Sequence, residues 1–241
     1  MNSENLNISL EKSPNVCKVN FNTKTFSDFS TNEAFKTLRT NLLFCGTDKK
    51  VILVSSANPN EGKSTISAEL SKSLAEIDKK VLLIDADLRK SVMITNKTAR
   101  NAVAGLSEYL SSQATLKEVL YQTQLKNFDV IFSGAFPPNP VELLSTSRFE
   151  DLINNLRNQY DYIIIDTPPI NYVIDAAIIA TVCDSAILVF SMDKTKTADA
   201  IKAKEQLEKS KCKILGTIIN QTSPKGDVYR KYYYTSRKYR K

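Results

Sequence analysis

The stretch Val51-Ile-Leu-Val-Ser-Ser-Ala-Asn-Pro-Asn-Glu-Gly-Lys-Ser-Thr65 decides how this chain folds. The apolar run Val51–Val54 precedes a short polar loop ending Gly62-Lys63-Ser64, and Ile66, Leu70 and Leu74 then recur at helical spacing. Strand, tight loop and helix are the physical parts of a cradle for nucleotide phosphates. Gly62 stands where backbone N–H groups must approach phosphate oxygens, an approach that a Cβ would obstruct. Lys63 then offers a cation to the β and γ oxygens, and Ser64 a hydroxyl to Mg²⁺. Asn60, Glu61 and Thr65 complete the residues expected to line the nucleotide. The first glycine of the usual pattern is here Ala57, a departure that loosens the motif less than loss of Gly62 would.

Working outward, further apolar runs end in polar residues: Val81–Ile84 before Asp85, Tyr162–Ile165 before Asp166, and Lys213–Ile219 before Asn220. Ala186–Phe190 and Phe128–Phe132 add two more. Runs of this length suit parallel strands buried on both faces. Helical spacing appears between them, at Phe149, Leu152, Ile153 and Leu156 and again over Ala198–Leu207. A further helix starts near Ser30-Thr-Asn-Glu33, which has capping-box spacing, and continues through Phe35, Leu38 and Leu42. The alternation predicts an α/β fold, a doubly wound, mostly parallel sheet of P-loop NTPase type with right-handed crossovers. Residues 1–28 read as an irregular N-terminal segment, 29–224 as one domain, and 225–241 as a tail.

In such a sheet the ligand lies beyond the C-terminal strand edges, where Asp85, Asp87 and Asp166 fall. One aspartate there often just begins a turn. Two strands ending in acids beside a phosphate loop point to a metal site, and Mg²⁺ needs only one or two carboxylates because it keeps several waters. A further carboxylate could accept a hydroxyl proton. Base preference is written more faintly. A guanine-type Asn-Lys-x-Asp motif is absent, and Asn220 at a strand end could read an adenine edge, so ATP is favoured over GTP.

Composition narrows the field. The chain has 241 residues, 42% of them hydrophobic, with no histidine and four cysteines lacking C-x-x-C spacing, which argues against structural zinc. Thiols in the cytoplasm are the plain reading. No apolar run approaches the roughly 18–20 residues of a membrane span, and no secretory signal pattern opens the chain. From Lys225 onward there are seven Lys/Arg and one acid, so +6 of the +7 net charge belongs to the tail and about +1 to the other 224 residues. That tail also holds five of the ten tyrosines: Tyr229, Tyr232, Tyr233, Tyr234 and Tyr239. A basic aromatic segment could touch nucleic acid or anionic lipid. Its density of phenols favours a phosphoacceptor, and no nucleic-acid partner is expected. Lacking aliphatic residues to bury, residues 229–241 are expected to be disordered, which lets a hydroxyl reach a fixed site.

Taken together, these motifs resemble those of the bacterial tyrosine kinases of capsule and exopolysaccharide synthesis, of the free-standing cytoplasmic type found in Gram-positive bacteria. Ser56–Thr65 resembles the family's Walker A motif, Leu82-Leu-Ile-Asp-Ala-Asp-Leu-Arg-Lys90 its Walker A′, and Tyr162-Ile-Ile-Ile-Asp-Thr-Pro-Pro169 its Walker B. Tyr232-Tyr-Tyr234 and its neighbours resemble the tyrosine cluster. Supporting pieces are Gly105-Leu-Ser-Glu-Tyr-Leu110 and Ser133-Gly134 with Pro137-Pro-Asn-Pro140. Walker A alone is unspecific, whereas the combination is highly specific and runs from about Ser30 to the C-terminus.

The resemblance implies ATP and Mg²⁺ as cofactors, with Lys63 on the phosphates and Ser64, Asp87 and Asp166 around the metal. It implies Asp85 as the base toward the tyrosine hydroxyl and Arg89 close enough to steady phosphate charge. It also implies a homo-oligomeric ring built through Glu33, Lys36 and Arg39. There Lys36 replaces an arginine and loses its planar fork, and an ordinary solvated helix face remains the alternative. A transmembrane adaptor of polysaccharide export that recruits the kinase to the inner face of the membrane is implied as well, with a cognate tyrosine phosphatase. Five phosphotyrosines would move the tail from +6 to roughly −2 to −4, a reversal expected to dislodge it and dissolve the ring. The rival readings are a partition or division-site ATPase and a nucleotide-gated scaffold. The former carries a second lysine five positions before Lys63, where this chain has Asn58.

Overall fold

Strands rich in Val, Ile and Leu, polar only toward their C-terminal ends, occupy the middle of the sheet, because both of their faces are covered. The computed structural model describes residues 7–13, 16–22, 29–93 and 103–222. In chain order, β1 (Asn7–Ser13) and β2 (Val16–Asn22) precede helix α1 (Phe29–Phe44), β3 (Val51–Ser56), α2 (Lys63–Ala75) and β4 (Val81–Asp85). Two short helices follow, α3 (Leu106–Leu110) and α4 (Leu116–Val119), then β5 (Leu120–Thr123) and β6 (Phe128–Ile131). The remainder comprises α5 (Pro140–Leu144), α6 (Ser147–Arg157), β7 (Tyr162–Asp166), α7 (Asp175–Ala180), β8 (Ser185–Ser191), α8 (Thr197–Lys209) and β9 (Lys213–Asn220).

The described strands form one sheet in the order β1-β2-β5-β6-β4-β7-β3-β8-β9. From β6 to β9 every neighbouring pair is parallel. Each central strand feeds its odd and even residues to opposite faces, as period two requires. On one face Leu53, Leu82, Ile84, Ile163 and Ile165 pack with Phe149, Leu152, Ile153 and Leu156 of α6 and with Ala203 and Leu207 of α8. On the other, Ile52, Val54, Leu83 and Ile164 pack with Ile66, Leu70 and Leu74 of α2 and Leu42 of α1. Burying each such side chain contributes roughly 1.5–3 kcal/mol, so helices on both faces hold the strand ends rigidly. β9, an edge strand, is only partly covered, unlike the fully buried β8.

One expectation is corrected. Residues 1–28, read as irregular, contain β1 and β2, an antiparallel hairpin whose second strand lies parallel to β5 with Val19 opposite Thr123. The signal was alternation rather than helical period: Ile8 and Leu10, then Cys17, Val19 and Phe21, occupy every second position. The sheet therefore includes strands that precede residue 29. The tail residues Tyr229, Tyr232, Tyr233, Tyr234 and Tyr239 lie outside the described residues.

Candidate functional site

The rim where β3, β4 and β7 end gathers the residues that the sequence singles out. β4 and β7 are adjacent and in register, with Asp85 opposite Asp166, so two carboxylates reach the same edge. β3 runs beside β7 and delivers the loop 57–62 to the head of α2. Gly62 caps that helix at φ +90°, and no side chain caps its first turn. Those first N–H groups have no partner further back in their own helix, and they carry the positive end of its dipole, which makes the loop an anion cradle. Gly62 is required for a second reason: a Cβ on it would lie 2.1 Å from Asn220 Nδ2.

Lys63 Nζ lies 3.4 Å from Asp87 Oδ2 and 3.3 Å from Ser64 Oγ. Burial works against its charge, but Asp166, Asp87 and Asp85 together outweigh that and hold the ammonium above its ordinary pKa. The acids carry the complementary strain. Asp85 is fully buried and lifted to about 7, by burial first and by the neighbouring Asp166 second. It accepts the Asp87 N–H at 3.2 Å and the Ser91 hydroxyl. Burial also raises Asp166, opposed by Lys63 and by hydrogen bonds from Ser64 and from Ser67, the latter at 3.2 Å. Asp87 accepts the Lys90 N–H at 2.9 Å, which turns its carboxylate back over the site.

Three buried carboxylates thus face one cation. The shortage of positive charge is what a divalent ion would supply, and the donors are the hard oxygens that Mg²⁺ selects. Among the described residues no group of three or more acidic or cysteine side chains forms a metal cage of its own. Mg²⁺ does not need one, because water and substrate phosphates fill most of its coordination sphere.

The other residues singled out by the sequence have partners within the protein or lie exposed. Glu61 is turned into the protein: its carboxylate accepts Asn58 N at 2.8 Å, Asn58 Nδ2 at 3.2 Å and the Thr195 hydroxyl. It braces the loop, leaving its backbone for a ligand. Asn60 is exposed, with φ +63°, and Thr65 is exposed in the first turn of α2. Asn220, read as facing a base, donates its amide to the Glu61 carbonyl at 3.0 Å. Arg89, read as steadying phosphate, forks onto the fully buried Asp175 at 2.9 and 3.1 Å. On α1, Glu33 and Lys36 form an exposed ion pair of 2.7 Å. Arg39 instead donates to the Ser73 carbonyl at 2.8 Å, serving an orphan acceptor near the end of α2.

Ser67, Ser91, Asp175 and Gln221 escaped the sequence reading. Ser67 lies one helical turn beyond Lys63, a signal that was available. Asp175, far from any strand end, gave none.

The AAA domain family matches residues 49–220. The chain is 44% identical over 202 residues to a tyrosine-protein kinase, CpsD, of Streptococcus agalactiae, covering 84% of this chain and 88% of that protein. Among solved structures it resembles the kinase domain of the Escherichia coli tyrosine kinase ETK, with a TM-score of 0.74 at 32% identity over 85% of this chain and 83% of that one. The septum site-determining protein MinD of Pyrococcus horikoshii OT3, solved with Mg-ADP, is more distant, at a TM-score of 0.59 and 28% identity over 73% and 72%.

Proposed function

This chain belongs to the AAA domain family and, within it, to the bacterial tyrosine-protein kinases, and from that premise we propose that it transfers the γ-phosphoryl of ATP to the tyrosines of its own tail. The observation that carries the proposal is the set of three buried carboxylates around Lys63 at the head of α2.

In this reading the amides of the Gly62–Thr65 turn cradle the phosphates and Lys63 holds the β and γ oxygens. Ser64, Asp87 and Asp166 would hold Mg²⁺, which supplies charge neutralisation at those oxygens when bound. A tail phenol attacks the γ-phosphorus in line, the bond to the β–γ bridging oxygen breaks, and ADP leaves. The phenolic proton passes to Asp85. A carboxylate with a pKa near 7 is matched to a proton acceptor at neutral pH, and phosphoryl transfer otherwise asks mainly for positioning and charge. Arg89, committed to Asp175, supports the segment after β4 rather than the phosphate. Radiolabel from γ-labelled ATP appearing on tyrosine, and vanishing in Lys63→Ala, tests the assignment; label that persists in the variant refutes it.

Among the described residues no helix is long and apolar enough to cross a membrane. A transmembrane adaptor of polysaccharide export would then bring the kinase to the membrane, its output being control of capsular polysaccharide synthesis. A ring of copies through the Glu33–Arg39 face and a phosphatase that resets the tail complete the reading.

A further inference from the structure

We infer that Asn220 and Gln221, where β9 ends, are positioning residues that set the phosphate-binding face of the loop. Asn220 Nδ2 donates to the Glu61 carbonyl at 3.0 Å, and Gln221 Nε2 donates to the Asn60 carbonyl at 3.0 Å. Two consecutive side-chain amides therefore grip two consecutive peptide planes. In a trans peptide the carbonyl and the following N–H point in opposite directions within one plane. Fixing the Asn60 carbonyl turns the Glu61 N–H away from β9, and fixing the Glu61 carbonyl does the same for the Gly62 N–H. Both amides are thereby aimed before any anion arrives, and the left-handed Asn60, at φ +63°, is held in place.

The grip is itself anchored. Gln221 Oε1 accepts the Ser191 hydroxyl at 2.7 Å and Lys194 Nζ at 2.8 Å, while Met192 N–H donates to the Asn220 carbonyl at 2.8 Å. The close seat of Asn220 exists because Gly62 has no Cβ. The ligand class served is the terminal phosphates of a nucleoside di- or triphosphate, so the inference rests on the nucleotide reading of this loop.

Gln221→Glu isolates the effect. It keeps the oxygen that Ser191 and Lys194 use but sets a carboxylate oxygen against the Asn60 carbonyl. Expected in the full chain is a rise of about fivefold or more in the Kd for a fluorescent Mg·ADP analogue, the equivalent of one hydrogen bond of about 1 kcal/mol. KM for ATP should rise in parallel, while kcat at saturating ATP stays within about twofold and Tm within a few degrees. Gln221→Ala should raise Kd likewise. Unchanged Kd in both variants overturns the inference, as does loss of kcat and Tm with KM unaltered, which would mark a merely structural role. A wild-type protein that fails to bind the analogue sinks the nucleotide reading itself, and that outcome is visible in a separate arm.

Discussion

Replacing Asp85 with asparagine is expected to stabilise the metal-free protein above pH 7 while removing the proposed proton acceptor. Asp85 is fully buried, faces Asp166 and Asp87, and titrates at about 7 instead of its ordinary 3.8. Between those values the folded protein binds a proton that the unfolded chain has released, so stability falls as pH rises from about 4 through 7. The displacement of about three units, at 1.36 kcal/mol each, makes the native cost on the order of 4 kcal/mol at pH 8. Asparagine avoids that cost and keeps the local bonds: its oxygen can accept the Asp87 N–H, and its amide can donate to the Ser91 hydroxyl. For a chain of this size the gain corresponds to roughly 8–16 °C in Tm. The assay is thermal unfolding of both proteins in EDTA at pH 8 and pH 4. The gap should open at pH 8, close at pH 4, and shrink when excess Mg·ADP is added. A variant no more stable than wild type at pH 8 refutes the argument that the site holds unneutralised charge.

Further outcomes follow from the same contacts. Arg89→Ala leaves Asp175 buried without its fork and is expected to cost about 3 kcal/mol in urea unfolding, with Arg89→Lys recovering only part because the bidentate geometry is lost. Lys36→Ala, which removes an exposed ion pair, should change stability by less than about 0.5 kcal/mol, whereas Arg39→Ala, which strips the Ser73 carbonyl of its donor, should cost about 1 kcal/mol. If phosphorylation dissolves the proposed ring, light scattering should find smaller particles for fully phosphorylated protein than for phosphatase-treated protein; equal sizes remove that link.

The centre of the sheet was legible because burial on both faces leaves unbroken apolar runs: Val51–Val54, Val81–Ile84 and Tyr162–Ile165 all became strands, and the acids after two of them converged on Lys63. Legibility fell toward the edges. β1 and β2 alternate apolar and polar residues, and β5, Leu120-Tyr-Gln-Thr123, is only four residues long, too short for any period to register. Within the site, strand ends announced the carboxylates but not what their neighbours do. Arg89 carries the charge expected of a phosphate ligand, yet its nearest deficit of charge is Asp175, 86 positions away and brought close only by folding. Asn220 showed its place at a strand end; that its amide would meet a peptide carbonyl of the loop depended on the turn geometry at Gly62.

In the proposed reaction the rim of this sheet hands a phosphoryl group to the tail of the same kind of molecule. Mass-spectrometric mapping of phosphotyrosine after incubation with ATP and Mg²⁺, in the presence of membranes, tests it most directly. Modification within residues 229–239 in the wild type, absent from Lys63→Ala, is the predicted result. Tyrosines that stay unmodified there, or that are modified equally in the variant, would contradict it.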